Sequence, residues 1–460
     1  MNVPLTLSLQ QAAQAMTGTL YGPDARFAQV STDTRTLAGG ELFIALRGER
    51  FDGHEYIAQA AGAGAVAVVV DHRMDNPLPQ IVVQDTRLAL GRLANAWRKS
   101  LKVSVVAVTG SNGKTTTKEM LAAILGTAGP VLATQGNLNN NIGVPLTLLR
   151  LQPEHCYAVI EMGANHHGEI AYLTNLTQPD VAMITNASTA HLAGFGDVQG
   201  VARAKGEIYQ GLDEAGVAVV NADDAHAGLW QQLAHGHCTL CFGLDQPADV
   251  TASWEGDAAG SRVRLHAGDS HIDIQLPLPG RHNVLNALGA ATAALALGID
   301  LPSIKRGLEG MRAVPGRVQR KAGIHGSAII DDTYNANPAS LNAALAVLAD
   351  CPGEKYLALG DMGELGEQAS QFHEMAGKQA RLAGVDRLYA TGALSRAAVA
   401  AFGGQGRHFA SQGEMIAALR QDLHAQATLL VKGSRASHME RVVQALSQEQ
   451  EAAGHAALPH

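Results

Sequence analysis

Residues 103–125 read VSVVAVTGSNGKTTTKEMLAAIL and combine three patterns that decide the fold. The apolar run at 103–108 predicts a strand that is buried on both faces, as in a parallel sheet covered by helices. A glycine-rich turn follows, and apolar residues then recur at the helical period from Met120 to Leu125. A strand that enters a tight turn and leaves it as a helix is the setting of a phosphate-binding loop.

The turn contains the residue types that such a loop needs. Gly110 and Gly113 let backbone N–H groups approach phosphate oxygens without a Cβ clash, and the start of the helix adds partial positive charge. Lys114 supplies a cation for the β- and γ-phosphates, and the Thr115 hydroxyl can ligate magnesium. The spacing departs from the usual G-x-x-x-x-G-K-[ST], because Val108 stands at the first glycine position. The alternative is a glycine turn that caps a helix beside a surface lysine.

Length and charge limit the classes of protein to consider. A chain of 460 residues is long for one core and suggests about three domains. The 34 basic and 42 acidic side chains give a formal net charge of −8, which argues against broad nucleic-acid or anionic-membrane binding. The N-terminus has neither the basic nor the apolar segment of a signal peptide, and we expect no membrane insertion. We therefore expect a cytoplasmic protein, and a monomer.

Glycine and proline punctuation divides the chain into three predicted domains, residues 1–102, 103–313 and 314–460. In the first, a small α/β unit, we predict strands at 42–46, 65–70 and 81–83 and helices at 55–61 and 87–99. In the second we predict buried strands at 103–108, 157–160, 181–185 and 217–220, an antiparallel hairpin from 262–266 and 271–275, and a helix at 283–297. In the third, strands at 328–331, 356–359, 387–390 and 428–431 alternate with helices at 338–348, 367–382 and 414–423.

These patterns predict an α/β fold in three domains with ligand clefts between them. The central domain is expected to hold a phosphate-loop NTPase-like parallel sheet with a small antiparallel subdomain, and the C-terminal domain to be Rossmann-like. Four cysteines are too few for a disulfide framework. A C-x-x-C pair, Cys238 and Cys241, could be half a zinc site or a redox pair, but no second pair supports this, and we expect four reduced thiols.

T-G-S-N-G-K-T-T at 109–116 is similar to the phosphate loop of the Mur ligase and folylpolyglutamate ligase superfamily. Further segments that resemble the Mur ligase family follow in order across all three predicted domains, at 157–163, 185–192, 204–208, 280–286 and 314–317. The resemblance implies ATP-dependent formation of an amide bond. ATP phosphorylates a substrate carboxylate to an acyl phosphate, which an amine then attacks.

The resemblance also implies roles for individual residues. The catalytic residues would be Lys114, Glu161, His191 and Lys205, and Mg²⁺ would be held by Thr115, Glu161, His191 and Lys205, with the lysine often carbamylated in the family. Without the resemblance, Glu161 still lies at the end of a buried strand, where open α/β sheets bind ligands, although it could cap a helix. His191 would be one of 19 histidines, and Lys205 a surface lysine. The implied ATP-binding residues are Gly110, Ser111, Asn112, Gly113, Lys114, Thr115, Thr116, His282, Asn283, Arg317, Asp332, Tyr334 and Asn335.

Two segments resemble the part of the family that binds a uridine-diphosphate substrate. In S-T-D-T-R at 31–35, Arg35 offers a planar fork to a diphosphate, while Ser31 and Asp33 can serve uracil or ribose. The alternative is an ordinary turn with a surface arginine. The asparagine-rich segment 137–145 would line a peptide, although asparagine runs are also common in turns. The implied UDP-substrate residues are Ser31, Thr32, Asp33, Arg35, Asn140 and Asn141.

The C-terminal segments 331–340, 359–366 and 432–435 resemble the family members that add D-alanyl-D-alanine to a UDP-N-acetylmuramoyl tripeptide. The resemblance implies these two substrates, with Lys432 and Arg435 contacting charge in a closed cleft. The D-N-P-[RK] element of the members that add diaminopimelate or lysine does not occur in this domain. The alternatives are another amino-acid ligase of the superfamily, or a nucleotide-gated binding protein without ligase chemistry. The third residue of the tripeptide stays open.

Overall fold

The computed structural model describes residues 7–48, 51–189 and 192–448. Within these ranges the chain forms three α/β units, each built around its own sheet of five, nine or six strands. The predicted fold class is therefore confirmed. The predicted domain boundaries fall in the connections before residue 104 and before residue 319, between the last helix of one unit and the first strand of the next.

The N-terminal unit has a five-stranded sheet in the order β1-β5-β4-β3-β2. Its strands are β1 (Thr19–Tyr21), β2 (Val30–Ser31), β3 (Leu42–Ile44), β4 (Ala67–Val70) and β5 (Gln80–Val82), and its helices are α1 (Leu9–Met16), α2 (Ile57–Gly62) and α3 (Thr86–Lys99). Strands β2 to β5 pair in parallel. Helix α3 begins where the Asp85 carboxylate accepts hydrogen bonds from the N–H groups of Arg87 and Leu88, a normal N-cap.

The central unit has a nine-stranded sheet in the order β14-β13-β12-β11-β10-β9-β6-β8-β7. Its strands are β6 (Ser104–Thr109), β7 (Val131–Ala133), β8 (Tyr157–Glu161), β9 (Val181–Ile184), β10 (Val217–Asn221), β11 (Cys238–Phe242), β12 (Val250–Asp257), β13 (Gly260–Ala267) and β14 (Ser270–Leu276). Its helices are α4 (Lys114–Leu125), α5 (Gly143–Leu148), α6 (Glu169–Thr177), α7 (Leu192–Phe195), α8 (Val198–Gly206), α9 (Ala227–Leu233), α10 (Arg281–Ala296) and α11 (Leu301–Glu309).

Strand β6 lies between β8 and β9, and pairs in parallel with both. Residues 105–108 are fully buried, as their continuous apolar run predicts. The predicted hairpin is confirmed as β13 and β14. It is joined by β12, which pairs antiparallel with β13, so that three antiparallel strands extend the parallel sheet.

The C-terminal unit has a six-stranded sheet in the order β15-β16-β20-β17-β18-β19. Its strands are β15 (Gln319–Ala322), β16 (Ala328–Asp332), β17 (Glu354–Leu359), β18 (Arg387–Thr391), β19 (Gly406–Phe409) and β20 (Ala427–Lys432), and its helices are α12 (Pro338–Ala349), α13 (Ala369–Leu382), α14 (Ser395–Phe402), α15 (Gln412–Asp422) and α16 (Glu440–Leu446). All pairs are parallel except β15 with β16. This arrangement confirms the predicted doubly wound unit.

Two predicted helices differ in detail from the structure. The segment predicted as one helix at 55–61 is a 3-10 turn, Gly53–Tyr56, followed by α2. The segment at 367–382 likewise begins as a 3-10 turn, Gly366–Gln368, before α13. All four cysteines are free thiols, as predicted. None of the helices in the described parts of the chain has both the length and the apolar character needed to cross a bilayer.

Candidate active site

The loop between β6 and α4 requires glycine at two positions. Gly110 has a φ of 148°, and a Cβ there would lie 1.9 Å from Thr185 Oγ1. Gly113 has a φ of 80°, and a Cβ there would lie 2.3 Å from Asn286 Oδ1. Both the backbone conformation and the close neighbours therefore exclude a side chain. The loop has the tight form that lets backbone N–H groups converge on a phosphate.

Asn112 ties this loop to two other parts of the molecule. Its backbone N–H donates to Asn186 Oδ1 at 3.0 Å, and its Nδ2 donates to Ser188 Oγ at 2.8 Å. Its Oδ1 accepts a hydrogen bond of 2.8 Å from Nδ2 of Asn337, the N-cap of α12 in the C-terminal unit. Hydrogen bonds from the central unit and from the C-terminal unit thus hold the loop in place. Asn337 was not among the residues expected at the site.

The Lys114 side chain curls back over its own loop. Its Nζ donates to Gly110 O at 2.7 Å and to Ser111 O at 3.4 Å. Burial lowers the pKa of Lys114, although Glu161 and Glu364 oppose this by favouring the charged form. Phosphate oxygens that entered the loop would offer this ammonium stronger acceptors than the two carbonyl groups.

Glu161 ends β8 beside the loop with its side chain buried. Its Oε1 accepts a hydrogen bond of 2.9 Å from Asn139 Nδ2. Its Oε2 is buried and has no hydrogen-bond partner among residues 7–48, 51–189 and 192–448. An unpartnered buried carboxylate oxygen is costly, and a carboxylate oxygen is a ligand that Mg²⁺ prefers. The residues present therefore fit a divalent cation at this position.

The asparagine-rich segment contributes differently from the expectation. Asn139, which was not among the expected residues, is the one that orients Glu161. Asn140 Oδ1 accepts from the N–H groups of Ile142 and Gly143 at the start of α5, which is the turn role that asparagine often has. Asn140 and Asn141 do line the same cleft as Glu161. A sequence signal for Asn139 existed, since all three asparagines lie in one run.

Lys205 is a buried residue of α8, not a surface lysine. Burial lowers its pKa to about 7, the nearby Lys114 acts in the same direction, and Glu169 and Glu207 oppose it. Its Nζ lies 5.6 Å from the centroid of the Phe195 ring. At neutral pH a large fraction of this amine is therefore uncharged, the form that can react with carbon dioxide. His191, expected to act with it, lies outside the described residues.

Arg317 connects the C-terminal unit to the loop. It donates to Thr115 Oγ1 at 3.0 Å, and its guanidinium carbon lies 4.0 Å from the centroid of the Tyr334 ring. Its Nε is buried and has no hydrogen-bond partner within the described ranges. Thr115, expected to ligate magnesium, thus has its hydroxyl engaged by Arg317 in this state of the site.

Lys432 and Asp332 form a buried ion pair on the C-terminal side. Lys432 also donates to Asn335 O at 3.0 Å, and Asp332 Oδ1 accepts from the N–H of Val318 at 3.2 Å. Burial lowers the pKa of His282 to about 4, with Asp332 opposing the shift. His282 is therefore neutral at physiological pH and can both donate and accept a hydrogen bond.

These groups line one cleft of about 1660 Å³ between the three units. The expected site residues that line it are Ser111, Asn112, Gly113, Lys114, Thr116, Asn140, Asn141, Glu161, Lys205, His282, Asn283, Arg317, Asp332, Tyr334 and Asn335. Gly110 and Thr115 lie directly behind this lining, in the loop itself. The structure therefore brings together most of the residues expected to bind ATP.

The expected UDP-binding element lies elsewhere. Ser31, Thr32, Asp33 and Arg35 follow β2 and are not among the residues that line the cleft. Arg35 pairs with Asp33 at 2.6 Å and is 83% exposed. Hydrogen bonds from Arg35 lower the pKa of Asp33 to about 2. The element does occupy the carboxyl end of a parallel strand, where α/β sheets bind ligands.

A parallel sheet whose glycine loop faces a Rossmann-like unit across a polar cleft defines a nucleotide-binding protein of the phosphate-loop class. Family profiles described as "Mur ligase family, catalytic domain", "Mur ligase middle domain" and "Mur ligase, glutamate ligase domain" match residues 26–98, 108–294 and 316–435. The chain is 45% identical over 448 residues to the UDP-N-acetylmuramoyl-tripeptide--D-alanyl-D-alanine ligase of Escherichia coli strain K12, with 96% of this chain and 99% of the relative covered. The chain belongs to the Mur ligase family.

Solved structures agree with this assignment. A crystal structure of MurF from Acinetobacter baumannii has a TM-score of 0.92 at 39% identity, covering 96% of this chain and 99% of that one. A second structure from that organism, titled UDP-N-acetylmuramoylalanyl-D-glutamyl-2,6-diaminopimelate--D-alanyl-D-alanyl ligase, has a TM-score of 0.88 at 39% identity and covers 96% and 98%. MurF ligase from Thermotoga maritima in complex with ADP has a TM-score of 0.81 at 28% identity and covers 91% and 96%.

Proposed function

We propose that the chain is an ATP-dependent ligase that joins D-alanyl-D-alanine to a UDP-N-acetylmuramoyl tripeptide in peptidoglycan precursor synthesis. The observation that carries the proposal is the cleft itself, in which a phosphate loop, the Lys114 ammonium and the unpartnered Glu161 oxygen lie side by side. Relatives with this printed activity align over nearly the whole chain. We also propose that the enzyme works in the cytoplasm, where both substrates and ATP would be present.

The reaction has two steps, because a carboxylate is a poor acyl donor at neutral pH. A carboxylate oxygen of the tripeptide attacks the γ-phosphorus of ATP, ADP leaves, and an acyl phosphate forms. The amine of D-alanyl-D-alanine then attacks the acyl carbon, and inorganic phosphate leaves with the original carboxylate oxygen. The protein mainly positions the reactants and neutralises charge.

The residues that face the cleft divide this work between them. Backbone N–H groups of the loop at 110–116 and the Lys114 ammonium hold the β- and γ-phosphates. Arg317 lies against Thr115 and Tyr334, where its guanidinium can move from the hydroxyl to a phosphate oxygen. Asp332, Tyr334 and Asn335 line the C-terminal side, where the ribose and adenine would lie.

Magnesium completes the proposed site. Glu161 and Thr115 would hold it, together with His191 and a carbamylated Lys205, and it would neutralise charge on the β- and γ-phosphates. Glu161 supports this proposal, since Asn139 donates a hydrogen bond to one carboxylate oxygen and the other has no partner among the described residues. Lys205 supports the proposal because its buried amine has a pKa of about 7.

The N-terminal unit is proposed to bind the uridine-diphosphate end of the substrate through Ser31, Thr32, Asp33 and Arg35. Asn140 and Asn141 would contact the part of the substrate that enters the cleft. For the third residue of the tripeptide we propose diaminopimelate, because the A. baumannii ligase of known structure is titled for that substrate. The enzyme is proposed to work as a monomer.

The test is a product assay with purified protein, ATP, Mg²⁺, UDP-N-acetylmuramoyl tripeptide and either D-alanyl-D-alanine or a single amino acid. We expect phosphate release and a pentapeptide product by mass spectrometry only with the dipeptide. Phosphate release that requires glutamate or diaminopimelate as the free amine would favour another ligase of the superfamily. Nucleotide binding without any amide product would favour a nucleotide-gated binding protein.

A further inference from the structure

We propose that Arg87 selects the third residue of the tripeptide by pairing with its distal carboxylate, so that diaminopimelate is preferred over lysine. This inference rests on the proposed function. It concerns the end of the cleft formed by Arg87 and Leu88 of α3 and Tyr172 of α6, here called the α3 end of the cleft.

Arg87 and Leu88 are the N-terminal unit's contribution to the cleft lining. A substrate whose uridine diphosphate is bound by that unit and whose reacting carboxylate lies at Lys114 would extend from the N-terminal unit into the cleft, where Arg87 and Leu88 are the lining residues from that unit. The peptide that links the two ends carries the third residue at its reacting terminus. The side chain of this residue can therefore extend from the reacting carboxylate towards Arg87.

Arg87 differs in its pairing from three other cations of the cleft, Lys114, Arg317 and Lys432. Lys114 is held by its own loop, Arg317 by Thr115, and Lys432 by Asp332. The Arg87 guanidinium has no hydrogen bond or ion pair with any of the residues that the structure describes. It is exposed to the cleft, and a guanidinium in that state is suited to a bidentate carboxylate.

The surroundings of Arg87 suit an aliphatic chain that ends in a charge. Leu88 is 43% exposed, unusual for a leucine, and its surface faces the cleft. Tyr172 lies opposite, and α3 accommodates it because residue 91 is glycine: a Cβ there would lie 2.2 Å from the tyrosine hydroxyl. Leu88 and Tyr172 thus form an apolar wall beside the arginine, which methylene groups can contact.

The dimensions agree with this placement. Glu169 and Tyr172 lie three residues apart on α6, which advances the helix by about 4.5 Å. Glu169 and Lys205 both line the cleft and interact electrostatically, as Lys205 does with Lys114, while Tyr172 interacts with Arg87 at the α3 end. The two carboxyl carbons of diaminopimelate are separated by six C–C bonds of about 1.5 Å each, a span of roughly 7 Å when extended. The span of diaminopimelate therefore exceeds the helical advance between Glu169 and Tyr172, so its distal carboxylate can extend to the α3 end of the cleft.

Lysine and diaminopimelate differ at the end of the side chain that Arg87 would contact. Both have the methylene chain that the apolar wall contacts, and both have an amino group at its end. Diaminopimelate alone adds a carboxylate there. Beside Arg87 a lysine ammonium would meet a like charge without compensation, so the arginine both attracts one substrate and disfavours the other.

The test compares kcat/KM for two substrates, UDP-N-acetylmuramoyl tripeptides that end in diaminopimelate or in lysine. For Arg87→Met we expect kcat/KM to fall about 10-fold or more with diaminopimelate, and to be unchanged or higher with lysine. Arg87→Lys should retain part of the preference. Leu88→Ser should lower kcat/KM for both substrates alike, since the methylene groups are common to both.

Arg92→Met is the matched control, because Arg92 is an exposed arginine of the same helix that contacts Met16 O and does not line the cleft. It should leave the preference unchanged. Equal losses for both substrates in Arg87→Met would overturn the inference, as would no loss, or a wild-type enzyme with equal kcat/KM for the two tripeptides. A wild-type protein that ligates D-alanyl-D-alanine to neither tripeptide would instead overturn the proposed function.

Discussion

Lys114 Nζ donates to Gly110 O at 2.7 Å, so the ammonium already lies where a phosphate oxygen would enter the loop. Replacing it with alanine should lower turnover by at least ~10²-fold, the scale for removing one key electrostatic stabiliser. The measurement is steady-state phosphate release at saturating substrates. Lys378→Ala, which removes an exposed ion pair with Glu374 on α13, should change turnover by less than about 2-fold. Near-normal turnover in Lys114→Ala would remove this residue from the mechanism.

Asp33 and Arg35 give a pH-dependent prediction in the N-terminal unit. The Arg35 side chain and N–H lower the pKa of Asp33 from 3.8 to about 2, so we expect Arg35→Ala to raise this pKa towards 3.8. Because the folded-state pKa is depressed, the stabilisation is present above pH 3.8 and lost as the pH falls through 2. A carboxyl NMR titration of Asp33 in both proteins measures the shift. Identical titration curves would show that the pair has no such effect.

At the scale of single residues, the sequence predicted the site residues whose positions follow from local spacing. Gly110, Gly113 and Lys114 belong to one turn, so their order along the chain sets their geometry. Asn139 and Asn337 reach the site through partners 22 and 225 residues away in the chain. No local pattern distinguishes such an asparagine from one that merely forms a turn, as Asn140 does.

At the scale of elements, the position of Glu161 depends on the end of the short edge strand β7. Thr134, the next residue, accepts the Glu161 N–H on its Oγ1 at 3.0 Å. Its carbonyl accepts a hydrogen bond of 2.6 Å from the buried ammonium of Lys118 in α4. The phosphate-loop helix, the edge strand and the backbone of Glu161 are therefore linked by two hydrogen bonds through one threonine.

Thr134→Val should lower turnover about 10-fold, because it leaves the buried Glu161 N–H without its acceptor, a cost of roughly 1–3 kcal/mol. Thr134→Ser should restore most of the activity. The matched control is Thr292→Val, a buried threonine of α10 that bonds only Leu288 O of its own helix. Steady-state kinetics at varied Mg²⁺ should show a higher half-saturating concentration for Thr134→Val alone. Equal effects of the two valine variants would contradict the link.

The predictability of an element depended on its surroundings. Strands β6 and β8 are buried on both faces, and their continuous apolar runs predicted them. Strand β12 was missed, because half of it is exposed and its pattern is irregular. The hairpin of β13 and β14 alternates regularly and was predicted. A strand has a recognisable apolar pattern when one or both of its faces are buried. The pattern becomes irregular where the strand extends beyond the core.

At the scale of the whole molecule, hydrogen bonds join the C-terminal unit to the phosphate loop, among them those of Arg317 with Thr115 and of Asn337 with Asn112. Arg317→Met removes the first contact and the stacking on Tyr334. We expect a larger radius of gyration by solution scattering without ATP, and a KM for ATP raised about 10-fold. Arg320→Met, three residues further and exposed on β15, should change neither value. An unchanged scattering profile and KM in Arg317→Met would contradict this role.

The three units were predictable one by one, but their mutual placement was not. Each unit has its own alternation of strands and helices, which local patterns indicate. The cleft depends on residues such as Arg317 and Thr115, 202 positions apart, whose contact no spacing rule specifies. The same limit explains why the sequence indicated the proposed UDP-binding element at 31–35 but could not locate it relative to the cleft.

The cleft is proposed to activate a substrate carboxylate by phosphorylating it. The most direct test uses UDP-N-acetylmuramoyl tripeptide labelled with ¹⁸O in its terminal carboxylate, with ATP and D-alanyl-D-alanine. We predict that mass spectrometry finds an ¹⁸O atom from the substrate in the released inorganic phosphate, because that oxygen bridges carbon and phosphorus in the acyl phosphate. Amide product formed together with unlabelled phosphate would contradict the claim.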